Sequence, residues 1–400
     1  MASNSGELPF LVAGAGIGGL SAAIALARSG LPTVVFEKSE SFSTHGAGIQ
    51  LGPNATRILR DWGVLKHLGK RAVVSRGILI GDGLTGSPLN TVPFGAEAEE
   101  RFGAPFLLVH RSDLHAALLK TAQASKSVTL KAGCGLDGFK QGPEAELQVR
   151  AEGEFISGKG LICADGVWSA LRELVDPGAR LQDTRRTAWR TLVDAKSVPD
   201  AIREPWTRLW LSPGAHLVHY PVSGGDRINV VSVIDDRRSQ VAEGWNRAAD
   251  PSILETVFEP WNAHVAELVR QGHHWRCWSL YSMSPLRSWT QGRVCLLGDA
   301  AHPTVPFLAQ GAAMAIEDAA MLAPLLAAAG DEDVAGAMKR YEIDRIERTA
   351  RTAFESRKMG NIYHMGGIGR HMRNLILRMR KPQSLLKRYD WLYGFRAELG

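Results

Sequence analysis

Three glycines near the N-terminus have the spacing of a phosphate-binding turn. Gly14, Gly16 and Gly19 form the pattern GxGxxG between an apolar run and an alanine-rich segment. In such a turn the first glycine allows a tight bend, the second lets a pyrophosphate approach the backbone, and the third lets a helix pack against the strand. Glu37 ends the next apolar run and can accept hydrogen bonds from a ribose diol. Because an acid disfavours a ribose with a 2′-phosphate, the pattern predicts FAD or NAD here rather than NADP.

Strand-to-helix transitions must position these groups. The segment 8–13 is predicted to be a buried strand, followed by a helix over 18–29 and a second strand over 33–37. Two further apolar strands, at 160–166 and 292–300, also run into predicted helices. We expect the three transitions, although distant in sequence, to converge on one sheet.

The middle of the chain has a different texture. Residues 182–285 form shorter segments rich in β-branched and aromatic residues, such as AHLVHYPV and RINVVSVID, separated by turns. This pattern predicts a mostly antiparallel sheet. From Asp331 onwards the pattern is helical and ends in a basic, aromatic tail.

The composition is that of a soluble globular protein, with 45% hydrophobic residues, 22% charged residues and a net charge of +6. Nine Lys and Arg and no acid lie between Glu355 and Asp390, so the rest of the chain is nearly balanced and we expect no nucleic-acid partner. The N-terminal region lacks the features of a signal peptide or a membrane span. The four cysteines lack the spacing of a disulfide framework or a zinc site, so we expect no metal and a cytoplasmic location.

Several motifs together resemble one enzyme family. The chain contains, in this order, GAGIGGLSAAIAL, GAGIQLGPNA, HRSDLH, CADGVWSALR and LLGDAAHP followed by QGAAMAIEDA. It resembles the FAD-dependent aromatic hydroxylases, single-component flavoprotein monooxygenases that include salicylate-, 3-hydroxybenzoate- and 6-hydroxynicotinate-type enzymes. The resemblance implies FAD as cofactor, NADH or NADPH as transient co-substrate, and O₂. It also implies that a C4a-hydroperoxide of the flavin hydroxylates a phenolic aromatic or a hydroxylated N-heterocycle.

The resemblance also assigns residues to the cofactor. Asp299 is expected to hold the ribityl hydroxyls, since a buried carboxylate is costly without such a partner. The small residues at the next helix start would admit the isoalloxazine ring and offer it their amides. The set implied for FAD is Gly14, Gly16, Gly19, Glu37, Lys38, Gly48, Gln50, Arg111, Leu136, Asp165, Asp299, Gly311, Ala312 and Ala313. His45 is expected near the flavin rim.

The nicotinamide co-substrate has no turn of its own, because the sequence contains no second GxGxxG. The resemblance implies that CADGVWSALR, with Asp165, Ser169 and Arg172, serves both FAD and NAD(P)H. It further implies a flavin that swings outward to be reduced and inward to oxygenate the substrate.

The predicted catalytic residues are His216, Tyr220 and Pro303. His216 and Tyr220 lie four residues apart, on one face of the predicted strand. The resemblance implies that His216 accepts the phenolic proton of the substrate, that Tyr220 bonds to ring substituents, and that Pro303 lies beside the flavin. A His–Tyr pair in an ordinary core is the alternative. The predicted substrate contacts are Gln50, Arg190, His216, Tyr220, Val305, Pro306 and Phe307, with Arg190 as the candidate cation for a carboxylate.

The expected fold class is α/β, with a Rossmann-like FAD-binding domain, an inserted and mostly antiparallel substrate domain, and C-terminal helices. We assign 1–75, 105–181 and 286–330 to the FAD-binding domain, 76–104 and 182–285 to the substrate-binding domain, and 331–400 to a C-terminal helical segment. The basic tail is interpreted as a surface helix that docks on the body, with membrane contact as the alternative. The sequence leaves the oligomeric state open, although dimers are common in such enzymes by analogy.

Other functions are open from the residues alone. An NAD-dependent dehydrogenase would need only the glycine-rich turn, but it would leave Asp165 and Asp299 unexplained. A flavoprotein that acts on a larger lipophilic or quinone-like substrate would use the basic tail, and a non-catalytic flavin-binding protein would not oxidise NAD(P)H. A flavin halogenase is disfavoured because the sequence contains no WxWxIP.

Overall fold

The computed structural model describes residues 8–42, 46–142, 147–236, 247–248 and 250–397, so His45 lies outside the described residues. The strands are β1 Phe10–Ala13, β2 Thr33–Phe36, β3 Gly48–Leu51, β4 Val73–Val74, β5 Gly77–Asp82, β6 Pro88–Pro93, β7 Leu107–His110, β8 Val128–Lys131, β9 Leu136–Gln141, β10 Leu147–Ala151, β11 Glu154–Gly158, β12 Gly160–Cys163, β13 Leu181–Asp194, β14 Trp206–Ser212, β15 Ala215–Val222, β16 Arg227–Asp235, β17 Arg247–Ala248, β18 Arg276–Met283, β19 Thr290–Gln291 and β20 Val294–Leu296.

The helices are α1 Ile17–Arg28, α2 Pro53–Asp61, α3 Val64–Leu68, α4 Ala96–Phe102, α5 Arg111–Gln123, α6 Leu171–Val175, α7 Asp200–Arg203, α8 Pro251–Phe258, α9 Ala263–Arg270, α10 Gly311–Ala329, α11 Val334–Tyr363, α12 Gly367–Met379, α13 Pro382–Lys387 and α14 Asp390–Tyr393.

A central sheet brings the three predicted strand ends together. Its order is β19-β20-β12-β1-β2-β8, and all pairs are parallel except β19 with β20. Ala13 of β1 pairs with Cys163 of β12, which pairs with Leu296 of β20. The turns that follow these residues therefore leave the sheet at the same edge, where ligands of open parallel sheets bind. The predicted convergence is confirmed.

Two long apolar helices cover this sheet. The helix α1 packs against α10, and both are buried along most of their length. Such all-round apolarity is typical of a helix inside a core. By length and composition α10 could also cross a membrane, but 61% of its most apolar window is buried inside the protein.

A second, larger sheet carries the middle of the chain. Its order is β17-β18-β13-β16-β15-β14-β5-β6, and all its pairs are antiparallel except β14 with β5. The predicted fold class, with its mostly antiparallel second sheet, is confirmed. Periodicity alone did not predict the parallel pair. A parallel pair needs a long crossover connection, and residues 83–205 provide it between β5 and β14. The domain boundaries stay a prediction.

Smaller elements complete the fold. The three-stranded sheet β3-β7-β4 contacts β15 through β7, and β11-β10-β9 flanks the central sheet. The helix α11 packs along α10, and α12 and α13 cross the outside of β6. The C-terminal segment is therefore helical throughout its described part, apart from the turns between helices.

Candidate active site

The glycine-rich turn has the geometry that a diphosphate needs. Gly14 has a φ of +94°, and a Cβ there would lie 2.7 Å from the carbonyl oxygen of Ala164. A Cβ on Gly19 would lie 1.8 Å from the carbonyl oxygen of Gly14, so only glycine lets α1 approach β1. In contrast, a Cβ on Gly16 would meet no described atom within 4 Å. Open space therefore lies beside the turn, where a phosphate can approach the backbone.

The start of α1 supports the same interpretation. Gly16 is the N-cap, no side chain of the described residues caps the helix, and its first turn contains no acid. The first amides are then available to an anion and carry the positive end of the helix dipole. The ring of His115 fixes this turn from α5, with its Nε2 2.8 Å from the carbonyl oxygen of Ala15.

Glu37 lies directly after β2 and binds the turn itself. One carboxylate oxygen accepts a hydrogen bond from the amide of Ala15 at 2.9 Å, and the other accepts one from the amide of Ser39 at 2.9 Å. Each oxygen keeps a second lone pair for a ribose hydroxyl. Nearby, Lys38 is exposed and Leu136 is half-buried at the start of β9.

Arg172 connects the other two strand ends. Its Nε donates to the carbonyl oxygen of Ala300 at 2.6 Å, and its Nη2 donates to those of Gly166 at 3.1 Å and Asp299 at 2.8 Å. One buried guanidinium therefore holds the turn after β12 against the turn after β20. Beside it, the Oδ1 atom of Asp165 is buried without a hydrogen-bond partner among the described residues.

Asp299 lies at the centre of this edge. Burial raises the pKa of its carboxyl group, while His302, Arg111 and Arg172 act to lower it. Its Oδ1 lies 3.7 Å from where a Cβ on Gly311 would stand. The carboxylate and the start of α10 are therefore adjacent, although they lie twelve positions apart in sequence. No acid lies in the first turn of α10, and no described side chain caps it, so its amides remain available.

A buried ionic cluster holds the turn that carries Asp299. Asp318 accepts hydrogen bonds from the amide of Gly298 at 3.0 Å, from Nε2 of His302 at 2.6 Å and from Nε of Arg345 at 2.7 Å. Although burial acts to raise it, the pKa of Asp318 falls to about 2, because His302 and Arg345 stabilise the carboxylate. The motif AIEDA, through Asp318, thus stabilises the conformation of the turn that carries Asp299.

One cavity of about 440 Å³ opens between the two large sheets. Its wall towards the central sheet includes Arg111, Gly166, Asp299, Pro303, Gly311 and Ala312. Its wall towards the larger sheet includes Gln50, Arg190, His216, Val218 and Tyr220. The cavity is therefore lined by six of the fourteen predicted cofactor residues and by five of the seven predicted substrate residues.

These features fit FAD. The orphaned oxygen of Asp165 and the open space beside Gly16 are what a bound polar molecule would complete. The uncapped starts of α1 and α10 suit its diphosphate and its ring, respectively. The side chain of Ala313 is fully buried in the core and does not line the cavity.

His216 lies in the cavity wall towards the larger sheet and is hydrogen-bonded to a second histidine. It is buried on β15, where it shares a face with Val218 and Tyr220, and its Nδ1 lies 2.8 Å from Nε2 of His364. Burial lowers the pKa of His216 well below its ordinary value, and His364 and Arg186 lower it further. The ring is therefore neutral and can accept a proton.

Tyr220 and Gln50 face each other across the same wall. Burial raises the pKa of the Tyr220 hydroxyl, and a hydrogen bond with Gln50 acts in the opposite direction. Gly48 makes this approach feasible, because a Cβ there would lie 2.6 Å from the Tyr220 ring and 2.7 Å from the Asn229 side chain. Asn229 also accepts a hydrogen bond from the Gly48 amide at 2.7 Å.

Arg190 is a cation on the wall of the cavity. Its guanidinium lies 5.1 Å from the centre of the Trp278 ring, and burial, together with Arg111 and Arg276, lowers its pKa to about 10. The described groups that shift its pKa include no acid. An anion in the cavity could therefore form both an ionic interaction and hydrogen bonds with this side chain.

The segment from Val305 to Phe307 is only partly as predicted. Pro306 lines the cavity, but Val305 and Phe307 pack one layer behind it, against Ala188 and other residues of the larger sheet. The short 3₁₀ turn Pro306–Leu308 is the reason, because it directs neighbouring side chains to different sides. The expectation that Val305 and Phe307 line the pocket is therefore wrong in position.

Sequence reasoning missed several residues of the site. Trp168 and Tyr281 line the cavity with their rings 5.0 Å apart, and the Trp168 indole nitrogen is buried without a partner among the described residues. His364 and Asp235 extend the hydrogen bonds of His216. Trp168 lies inside CADGVWSALR and could have been identified there, whereas His364 lies in no motif.

The class of protein follows from a comparison with known families. Residues 7–356 match the family model described as an FAD binding domain. The match covers most of the chain, so the protein belongs to this family and FAD is its cofactor. The predicted resemblance to FAD-dependent aromatic hydroxylases is confirmed.

Individual relatives are similar over almost the whole length. The chain is 36% identical to 3-hydroxybenzoate 6-hydroxylase of Polaromonas naphthalenivorans strain CJ2, over 99% of this chain and 98% of that protein. It is 33% identical to 6-hydroxynicotinate 3-monooxygenase of Bordetella bronchiseptica strain RB50, over 86% of this chain and 90% of that protein. The crystal structure of Klebsiella pneumoniae HpxO complexed with FAD and uric acid matches with a TM-score of 0.83 at 25% identity, over 96% of this chain and 97% of that one.

Proposed function

We propose that this FAD-dependent monooxygenase hydroxylates a small aromatic acid that carries a phenolic hydroxyl group. The reaction consumes the substrate, O₂, NAD(P)H and a proton, and it yields the hydroxylated product, water and NAD(P)⁺. When bound, FAD would supply the redox chemistry that couples oxidation of NAD(P)H to insertion of one oxygen atom of O₂ into the ring. The observation that carries the proposal is the shared cavity, which places His216, Tyr220 and Arg190 opposite the wall formed by Asp299 and Gly311.

Each side chain has a distinct role in this proposal. Neutral His216 accepts the phenolic proton, and the resulting phenolate has the electron-rich ring carbons that an electrophilic oxygen donor needs. Tyr220, with Gln50 beside it, forms a hydrogen bond with a substituent of the substrate ring. This bond determines which ring carbon of the substrate faces the cavity wall formed by Asp299 and Gly311. Pro303 lies in the wall with Asp299 and Gly311, and its apolar ring helps to exclude water there.

Arg190 supports a carboxylate on the substrate. It is a largely buried cation on the cavity wall, and no acid among the described residues contributes to the shift of its pKa. Both relatives named above act on an aromatic ring that bears a hydroxyl and a carboxylate. We therefore assign the carboxylate to Arg190 and the hydroxyl to His216.

The test uses the purified yellow protein with a panel of phenolic acids and matched neutral phenols. 3-Hydroxybenzoate, 6-hydroxynicotinate and salicylate represent the acids, and 3-hydroxybenzyl alcohol represents the neutral phenols. We expect at least one acid to stimulate NAD(P)H oxidation with formation of a hydroxylated product. Arg190→Gln should raise the KM for that acid about 10- to 100-fold, the value of one charge-assisted hydrogen bond, and leave that of the neutral phenol nearly unchanged.

Arg227→Gln, which removes an exposed arginine from the neighbouring strand β16, is the matched control. If no member of the panel yields a hydroxylated product, the proposed function is wrong. If Arg190→Gln raises both KM values equally, the carboxylate assignment is wrong while the reaction class stands.

The outer face of α12 supports a finer proposal about partners. Arg370, Arg373 and Asn374 are directed inward, and Arg370 and Asn374 bond to Asp82. The apolar residues are directed outward instead, with Ile368 80% and Met379 76% exposed, and Met372 and Leu375 between them. The helix α12 is part of the basic tail and carries its apolar residues on its outer face. We propose that this face contacts an anionic membrane surface.

The location of the enzyme follows from its co-substrate. The reaction consumes NAD(P)H, and the four cysteines, all in the described part of the chain, form no disulfide. A reducing compartment supplies NAD(P)H and keeps cysteine thiols reduced. We propose that the enzyme works in the cytoplasm, with residues 76–104 and 182–285 as its substrate-binding domain.

A further inference from the structure

A line of three hydrogen-bonded side chains connects the cavity to the protein surface. His216 lines the cavity, and its Nδ1 lies 2.8 Å from Nε2 of His364. Nδ1 of His364 lies 2.6 Å from Oδ1 of Asp235. His216 and His364 are almost completely buried, whereas the side chain of Asp235 is 44% exposed. The line therefore begins at the substrate wall and ends in solvent.

The order of these groups fixes the position of each proton. Asp235 can only accept, so Nδ1 of His364 must carry a hydrogen atom. In a neutral ring Nε2 of His364 is then an acceptor, and Nδ1 of His216 must donate to it. This leaves the lone pair of His216 on Nε2, the ring nitrogen that remains for the cavity. The line thus prepares His216 to accept a proton from a ligand.

Backbone bonds position the three elements that supply the line. The amide of Gly214 donates to the carbonyl oxygen of His364 at 3.1 Å, and the amide of Asp235 donates to that of Gly214 at 2.8 Å. The β14–β15 turn therefore connects the end of α11 to the end of β16. Arg373 of α12 also holds the end of α11, donating to the carbonyl oxygen of Tyr363 at 2.7 Å.

The surrounding charges favour passage of a proton through the line. From β13, Nε of Arg186 donates to Oδ1 of Asp235 at 2.8 Å, and Arg373 approaches His364 from α12. Burial acts to raise the pKa of Asp235, but hydrogen bonds from His364 and Arg186 bring it below its ordinary value. Burial also lowers the pKa of His364, against the effect of Asp235. Because the pKa of each of the three groups is lowered, none of them retains an additional proton that reaches it.

We propose that His364 and Asp235 relay the phenolic proton of the substrate from His216 to water. The inference rests on the proposed function. The O–H bond of the phenol breaks and its proton binds Nε2 of His216, while the Nδ1 proton of His216 moves to Nε2 of His364. The Nδ1 proton of His364 then passes to Asp235 and from there to water. Each ring gains one proton and loses one, which leaves it in its other neutral tautomer. The line is restored when a proton from solvent enters through Asp235, the two ring transfers run in reverse, and the Nε2 proton of His216 returns to the phenolate oxygen of the product.

The relay answers a physical problem of this site. His216 is buried, and a proton left on it would create a charge in an apolar layer formed by Val233, Phe307 and their neighbours. An unpaired buried charge is costly. Without a relay, protonated His216 would therefore be unfavourable, and the bound phenol would ionise only to a small extent. His364 and Asp235 reach the substrate only through His216. They are positioning residues rather than catalytic ones.

The experiment measures ionisation of the bound substrate directly. Holoenzyme is saturated with 3-hydroxybenzoate, or with another panel acid if it is hydroxylated faster, and the phenolate absorbance is followed against pH. In His364→Ala and Asp235→Asn we expect the apparent pKa of the bound phenol to rise, since His216 accepts its proton less well. The acidic limb of the kcat profile should move to higher pH in the same variants. At neutral pH we expect kcat to fall about 100-fold with little change in KM, the lower end of the effect of losing proton-transfer assistance.

Two further measurements separate a relay from a structural effect. Added imidazole should restore part of the activity of His364→Ala, and it should leave the activity of the wild type unchanged. His219→Gln removes another buried imidazole from β15 and should leave the pKa of the bound phenol unchanged. Flavin content should equal that of the wild type in every folded variant. If His364→Ala fails to fold, Asp235→Asn alone decides the question, because its side chain is nearly the same shape.

The outcomes distinguish the relay from the proposed function. If wild-type protein hydroxylates a panel acid and His216→Ala does not, but both His364→Ala and Asp235→Asn keep the wild-type pH profile and phenolate spectrum, the relay is wrong and the function stands. If wild-type protein hydroxylates nothing, the function itself is wrong.

Discussion

At the scale of single residues, the site depends on groups that are costly without a ligand. Asp299 is a buried carboxylate whose pKa is raised by burial, and Asp165 keeps an orphaned oxygen beside it. Natural proteins retain such groups where a bound molecule completes their hydrogen bonds. Both groups therefore lower the stability of the protein without cofactor and raise its affinity for the cofactor.

Asp299→Ala should purify with much less flavin than wild-type protein. Loss of one charge-assisted hydrogen bond is expected to weaken FAD binding about 10- to 100-fold. The measurement is the ratio of flavin to protein absorbance after gel filtration, followed by titration with FAD. Asp344→Ala, which removes an exposed aspartate from α11, is the control. Full flavin content in Asp299→Ala would contradict the role given to this carboxylate.

At the scale of elements, the turn after β20 keeps its shape because two helices clamp it. Arg345 of α11 is fully buried and bonds to Glu317 at 2.8 Å and to Asp318 at 2.7 Å, both on α10. Arg348 adds a second cation on Glu317 at 2.7 Å. Asp318 in turn holds the amide of Gly298, next to Asp299. The helix pair therefore positions the cofactor residue without touching the cavity.

Arg345→Ala should be strongly destabilising. Removal of one partner from a buried ion pair leaves an uncompensated charge and costs about 3 to 5 kcal/mol. The free energy of unfolding, from urea titration of the holoenzyme, measures it. Arg340→Ala, at an exposed position of the same helix, should change the stability by less than about 0.5 kcal/mol. Equal stabilities of the two variants would show that the cluster does not hold the helices together.

At the scale of the whole molecule, charge and apolar surface are unevenly distributed. The net charge of +6 is smaller than the excess of nine Lys and Arg between Glu355 and Asp390. The same segment includes the exposed stripe of Ile368, Met372, Leu375 and Met379 on α12. Apolar and cationic groups on one surface favour the headgroup region of an anionic bilayer.

Sedimentation with lipid vesicles tests this surface. The holoenzyme should bind vesicles that contain phosphatidylglycerol more strongly than vesicles of phosphatidylcholine alone, and added salt should weaken the binding. A double variant, Ile368→Ser with Met372→Ser, should lose most of it. Ile343→Ser, at an exposed apolar position on α11, should not. Equal binding to both vesicles, or a stable dimer that the double variant dissociates, would contradict the proposal.

The sequence by itself determined the dinucleotide turn, the strand-to-helix units and the fold class. These features are local, because the backbone of six residues fixes a GxGxxG turn and a short apolar period fixes a strand or a helix. Asp299 and Gly311 were identifiable for the same reason, since each lies in a motif that carries its own structural context.

Only the tertiary structure decided which distant groups meet. His216 and His364 are 148 residues apart, and no spacing rule relates a strand residue to the end of a helix in another part of the chain. The same holds for β5 beside β14, for Val305 behind the cavity wall, and for α12 with its polar face inward. Such contacts depend on how whole elements pack, and packing is a property of all the surfaces at once rather than of any one segment.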